Sequence, residues 1–505
     1  MRRAVPLLLL LVAPRAFGDA ATDRYRQFFK EEIEGRYAGE AVSDVRAVML
    51  RDFQKHDVPD AARWLITDVL PKEEAGDALR EAVRVLGTYN NPDTVDAMAA
   101  LYRSTKSAEV RTLLQAAFGR MKIDTAVGPI EAGIKDRDER VAAAACIAAG
   151  TGRRIGLRAD LEGALKHKHP AVRAAALRGL RELGGDESLP LVFQSFCTDA
   201  SPRVRYDAWL ALTKLAKEDL PCDPEAWEEF WKKMAGEPAE GETSPWGTSF
   251  PRVNAKAGKA VNFFGIPVLG ERVCLVLDTS RDMATPWRID HQEERRKPPE
   301  ERIPNFFNVK TRWSLVRAYV LDFVGAAPAE MEFGFVFFNE TPTPWPEKGR
   351  FMKNRGKTAK SIETQLETRV QLASVTAMYE GLAAGWGFVK GGDPEANFDK
   401  GADTILFVTD GRPTHGELAN RPERLSDECW RIAVTRHVRF HTVGLHNHQF
   451  DLLQAMARDS DGLYVHFQQA GDTAEPQDLE FWPKKKKAFE EARKAERRGG
   501  GEPGE

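Results

Sequence analysis

Three acidic residues and one hydroxyl stand where they could hold a hard cation. Asp278 closes an apolar run over 272–278, Ser280 and Asp282 follow at two-residue steps, and Asp410 comes just after a second apolar run over 403–409. Carboxylate and hydroxyl oxygens suit Mg2+, Ca2+ or Mn2+ rather than zinc. Residues two apart on a loop just past a strand can turn toward one point. Other chemistry is poorly served. His441, His446 and His448 cluster at and after a strand-like segment, but no HExxH pattern or partnered cysteine supports zinc. There is no GxSxG elbow and no phosphate-cradling P-loop, and Ser280 has no evident base to activate it. The expectation is a protein without catalytic activity.

The elements that must position these residues are legible as alternating patterns. Apolar runs over 272–278, 331–338, 403–409, 440–443 and 463–467 read as strands buried on both faces of a parallel sheet. Helical patterns over 313–324, 376–386, 422–435 and 450–458 lie between them. That alternation predicts a doubly wound α/β domain, in which ligands bind beyond the carboxyl ends of the strands. Asp278 and Asp410 fall at that place.

The same residues carry a family resemblance. Asp278-Thr279-Ser280-Arg281-Asp282 resembles the DxSxS motif of von Willebrand factor A (VWA) domains, and Thr409-Asp410-Gly411-Arg412-Pro413-Thr414 their TDGxPT segment. Thr376, ahead of Tyr379-Glu380-Gly381-Leu382, is similar to the threonine that precedes the family's next helix. His441 to Gly444, Leu452-Leu453 and Gly462-Leu463-Tyr464 resemble its last strands and helix, so the resemblance spans 271–475. The lead-in Phe263 to Val268 is similar to that of secreted bacterial proteins joining HEAT-like repeats to this domain. The resemblance implies a metal-adhesion (MIDAS-like) site in which Asp278, Ser280, Asp282, Thr376 and Asp410 surround one divalent cation. Mg2+ is the expected ion, with Ca2+ and Mn2+ as alternatives. It also implies a protein partner whose acidic side chain completes the ion's coordination. Two departures stand out. Asp282 replaces the usual second serine, and either ligates the ion, favouring Ca2+, or points away. Ala373-Ser374-Val375 replaces the Gly-Gly that usually precedes the threonine. Residues 287–310 form an insertion after the metal loop, either a partner-selecting loop or an unstructured one.

The N-terminal half repeats. Val110, Val141, Val172 and Val204 open similar apolar helices at spacings of 31, 31 and 32 residues, and Leu79-Arg80 and Val45-Arg46 extend the series backwards. Val172, Ala176, Leu180 and Leu183 form a single stripe. A two-helix unit of this length cannot bury its apolar face alone, and stacking into a solenoid buries it. The arrangement resembles HEAT-like repeats over 25–217. An all-α solenoid followed by the α/β domain is therefore expected. A linker over 218–270 joins them and carries a short helix with Trp227 and Trp231; a charged tail over 484–505 is expected to be disordered.

Arg2 and Arg3, a short apolar run and small residues make 1–20 read as a secretory signal, and hence the protein as secreted or periplasmic. No segment is long and apolar enough to span a bilayer. The formal net charge of −3 argues against general nucleic-acid binding. Five scattered cysteines allow no disulfide assignment, and Cys146 and Cys274 sit in apolar runs. An exported protein-binding scaffold is the expectation. An envelope structural protein with a metal-silent domain and a metal-dependent hydrolase are the alternatives.

Overall fold

A computed structural model of the chain describes residues 20–235, 259–347, 349–368, 370–373, 375–388, 398, 400–446 and 448–470. The expected tail, the expected leader except Ala20, and residues 236–258 of the expected linker lie outside them.

The repeat valines do open helices, at Ala108–Phe118, Glu139–Thr151, Pro170–Leu183 and Pro202–Leu215. Proline opens the last two, where its missing N–H costs no helical bond. Ser107 and Asp138 cap the first two through side-chain oxygens that accept from Val110 N and Arg140 N. Val110, Val141, Val172 and Val204 are all buried in one continuous core. Consecutive helices approach closely enough that a Cβ on Gly150 would lie 2.7 Å from Gly179 Cα, so only glycine fits there.

Where an arginine follows the repeat valine, it forms a repeated rung. Arg46 Nε donates to Glu73 at 2.7 Å, Arg111 Nε to Asp136 at 3.1 Å, and Arg173 Nε to Asp199 at 2.7 Å. Each also donates to a carbonyl five or six residues upstream, such as Arg173 Nη1 to His167 O at 2.8 Å. The rung therefore ties one repeat's helix start to the acid of the following turn. The helix Pro224–Ala235 extends the array: Trp227 and Trp231 are buried in the solenoid core, and Trp231 meets Phe193 edge-on.

The C-terminal half is a mixed, mostly parallel sheet. In chain order β1 (Val261–Phe263) and β2 (Ile266–Val268) form a small hairpin. They are followed by β3 (Arg272–Asp278), β4 (Glu332–Phe338), β5 (Thr343–Trp345), β6 (Met352–Lys353), β7 (Thr404–Thr409), β8 (Arg439–Leu445) and β9 (Tyr464–Phe467). The sheet order is β5-β4-β3-β7-β8-β9, with β6 also pairing with β4. β3, β4, β7, β8 and β9 run parallel, and β5 and β6 are antiparallel edges. Alternate residues of β3 point to opposite faces. Val273, Leu275 and Leu277 share one core with Leu315, Val320 and Phe323 of the helix Arg312–Ala326. Cys274 and Val276 share a second core with Leu382 of the helix Met378–Trp386 and Cys429 of the helix Glu423–Arg436.

Several expectations need correction. The hairpin at 261–268 belongs to the α/β core rather than to the connecting stretch, because Phe263, Phe264 and Ile266 are buried and Phe263 packs on Phe323. Helix 378–386 begins after Thr376, not at it. The insertion is folded: Asp290 caps a short helix, His291–Arg296, and buried Glu294 accepts from Ile303 N. Trp287, Ile303 and Phe306 join the α/β core, while Phe307 is exposed. All five cysteines are buried free thiols.

The two halves dock through the Glu423–Arg436 helix and the amino ends of the strands. Gly76 N donates to Glu428 at 2.6 Å, and Arg80 pairs with Asp427 at 2.8 Å and Asp459 at 2.7 Å. Arg181 pairs with Asp461 at 2.8 Å, and Arg439 with Asp207 at 2.6 Å. Arg203 donates to the carbonyl of His437, whose Nε2 bonds Arg140 O at 3.0 Å. Trp430 of the helix joins the solenoid core. Arg205, at the last valine-arginine site, takes its acid from the sheet domain: Nη2 donates to Glu330 at 3.0 Å.

Candidate metal centre

The carboxyl ends of the parallel strands point away from that interface. β3 ends in Asp278, whose side chain is fully buried. Its Oδ1 accepts from Ser280 N at 2.7 Å, and its Oδ2 accepts from Thr409 Oγ1, on neighbouring β7, at 2.6 Å. The loops are stitched together by backbone bonds. Ala373 N donates to Thr279 O at 3.0 Å, setting Ser280 beside Ala373, and Ala377 N donates to Asn339 O at 2.8 Å. Thr376 is held at both ends by one residue: its N–H donates to Thr414 Oγ1 at 3.0 Å, and its carbonyl accepts from Thr414 N at 3.0 Å. A Cβ on Gly411 would lie 3.8 Å from Thr376 Oγ1, so that hydroxyl sits next to the Asp410-Gly411 turn.

Asp278, Ser280, Thr376 and Asp410 thus gather at one end of the sheet, and all four are buried. Asp282 lies in the turn Arg281–Ala284 with its side chain exposed, at the rim rather than among them. Burial, reinforced by Asp410, pushes the Asp278 carboxyl up to about 7. Burial also raises Asp410, with Arg312 opposing the shift and Asp282 adding to it. Two carboxylates crowded out of water favour any cation that can reach them.

One such cation is built in, and the sequence reading missed it. Arg312 Nη1 donates to Asp410 Oδ2 at 2.6 Å, with the Asp410 side chain fully buried. Arg312 is the first residue of its helix, a position where the helix dipole disfavours positive charge. An arginine just inside an N-terminus was the available signal. Thr409, which orients Asp278, is visible in the sequence only as part of a motif.

Among the described residues, no group of three or more His, Cys, Asp or Glu could hold a metal. A site of this kind would depend on hydroxyls, and here the donors fit: Ser280 Oγ and Asp410 Oδ1 are buried with no hydrogen-bond partner. The histidines behave otherwise. His441 Nδ1 accepts from Leu463 N at 3.0 Å and His448 Nε2 meets Tyr464 OH at 2.8 Å. Burial pulls both imidazoles down to about 3, so they are neutral.

Strand order and motif order together define the class: the chain carries HEAT repeats in its N-terminal part and a VWA-like α/β domain in its C-terminal part. The HEAT repeats family model matches residues 157–226. Among solved structures, a von Willebrand factor type A protein from Catenulispora acidiphila aligns at 14% identity and TM-score 0.28, over 40% of each chain. Proximal thread matrix protein 1 from the mussel byssus aligns at 16% identity and TM-score 0.26, over 39% of this chain and 41% of that one. A form of the mussel protein described as having a zinc-occupied MIDAS motif aligns at 14% identity and TM-score 0.26, over 39% and 41%. The chain thus spans well under half the length of these structures. No curated protein matches it.

Proposed function

We propose that the chain is an exported, non-enzymatic binding scaffold that captures a protein partner through a divalent cation at the carboxyl end of its sheet. Asp278, Ser280, Thr376 and Asp410 hold the ion, and Asp282 modulates it from the rim. The reading is carried by one observation: Ser280 Oγ and Asp410 Oδ1 are buried without hydrogen-bond partners beside a second buried carboxylate. Leaving such groups unpaired is costly, and an oxygen-seeking ion satisfies them. Mg2+ is the preferred ion, and when bound it supplies a Lewis-acidic position for an acidic side chain of the partner. The export expectation rests on the leader-like first residues. Arg312 favours a second reading, a structural protein whose metal face is silent, because it already neutralises Asp410.

Thermal melting of the full chain separates the two. Saturating Mg2+ or Ca2+ should raise the melting temperature over EDTA, and Asp278→Ala should abolish the increment. Equal melting with EDTA and with metal would leave only the silent reading.

A further inference from the structure

The Arg312–Asp410 pair has an unusual build for a structural salt bridge. Asp410 uses one oxygen, Oδ2, and leaves Oδ1 buried and unpartnered. Arg312 uses one arm and leaves Nε buried and unpartnered. A brace selected for strength would be a two-pronged guanidinium–carboxylate fork, as Arg173 makes with Asp199 at 2.7 and 2.8 Å. The Arg312 charge also stands at the positive pole of the helix Arg312–Ala326, which weakens its hold.

We infer that Arg312 is a tethered cation of the metal centre, competing with the divalent ion for Asp410 and so setting the affinity of the site. The inference rests on the metal-site reading above. Once an ion has drawn the protons from the buried Asp278 and Asp410 carboxyls, the guanidinium cancels one of the two negative charges facing it. Removing it strengthens the ion's attraction by a unit-charge interaction at short range in a largely dry site, at least about tenfold in affinity. The base of the insertion would feel the same event. Arg312 N donates to Thr285 O at 3.1 Å, and Thr311 pairs with Pro286 where the 287–310 excursion leaves and returns. An ion that draws charge from Asp410 through Oδ1 weakens the Arg312 bond to Oδ2, and so acts at the base of the segment that carries exposed Phe307.

The test uses full-length protein stripped of metal, with Mn2+ as probe and free Mn2+ read by electron paramagnetic resonance. Arg312→Gln should bind Mn2+ at least about tenfold more tightly than wild type. It should also melt lower than wild type in EDTA, with the gap closing at saturating Mn2+. Arg312→Met serves the same comparison if the glutamine variant does not fold. Arg312→Lys, which keeps the charge, should stay near wild type. Equal or weaker Mn2+ affinity in Arg312→Gln overturns the inference and leaves the metal-site reading standing, as does a lysine variant that tightens as much as the glutamine one. Absence of Mn2+ binding in wild type and variant alike overturns both.

Discussion

Gly444 owes its identity to a neighbour. A Cβ there would lie 2.1 Å from His448 Nε2, the nitrogen that meets Tyr464 OH at 2.8 Å. Gly444→Ala should therefore push the imidazole off its partner and cost about 1–3 kcal/mol, as overpacking in cores does. A melting temperature equal to wild type would contradict that packing. At this scale the sequence is informative where chemistry coincides with a pattern. Asp278 and Asp410 are visible because each follows an apolar run, and Ser280 because it stands two residues beyond Asp278. Arg312 is hidden because it lies about a hundred residues from Asp410 and reads as an ordinary charged residue of a helix. The buried histidines look like ligands in the sequence because it does not show that Leu463 N and Tyr464 OH occupy their nitrogens.

Among elements, the rungs of the solenoid carry measurable stability. Arg173→Met removes two bonds to Asp199 and those to the carbonyls of His167 and Lys168, on a side chain that is mostly buried. Charge-assisted bonds of this kind place the loss at about 2–3 kcal/mol. It should appear as a lower urea midpoint, and an unchanged midpoint would mean that the rung is ornamental. The repeats were legible because spacing survives even when individual residues vary. The edge strands β5 and β6 were not: each is at most three residues long, and β5 contains Pro344, so neither has an alternation to read. Thr376 matches a helical pattern, yet tertiary bonds to Thr414 hold it outside the helix, which starts at Met378.

For the molecule as a whole, the docking of the two halves was invisible in the sequence, since Arg80, Asp207 and Asp461 resemble ordinary solvated charges on surface helices and turns. It should be acid-sensitive. Burial pulls His437, at the junction, down from 6.5 to about 3, as it does His441 and His448. Between those values the three imidazoles bind more protons in the unfolded chain than in the folded one; together they outweigh the raised Asp278 carboxyl, which acts in the opposite sense, so stability rises with pH and is lost as pH falls from 6.5 toward 3. Asp461 adds loss at the acid end: despite burial, Arg178, Arg181 and Arg439 hold its carboxyl far below the usual range. Melting temperature followed from pH 7 to 4 should fall. His437→Asn, which tolerates the left-handed backbone there, should make the fall shallower. An identical slope would remove His437 from the account.

Arrays of stacked helices ordinarily change by gaining or losing whole units, since each unit touches only its neighbours. This one is clamped at both ends of a fixed span. Arg80 reaches Asp427 and Asp459 near one end, and Arg205 reaches Glu330 at the other, on a single sheet domain whose width does not change. Duplicating or deleting a unit between Arg80 and Arg205 would carry one anchor about a unit's width out of reach. The number of repeats in that interval is therefore frozen, and relatives that keep both anchors should vary in the loops but not in the count.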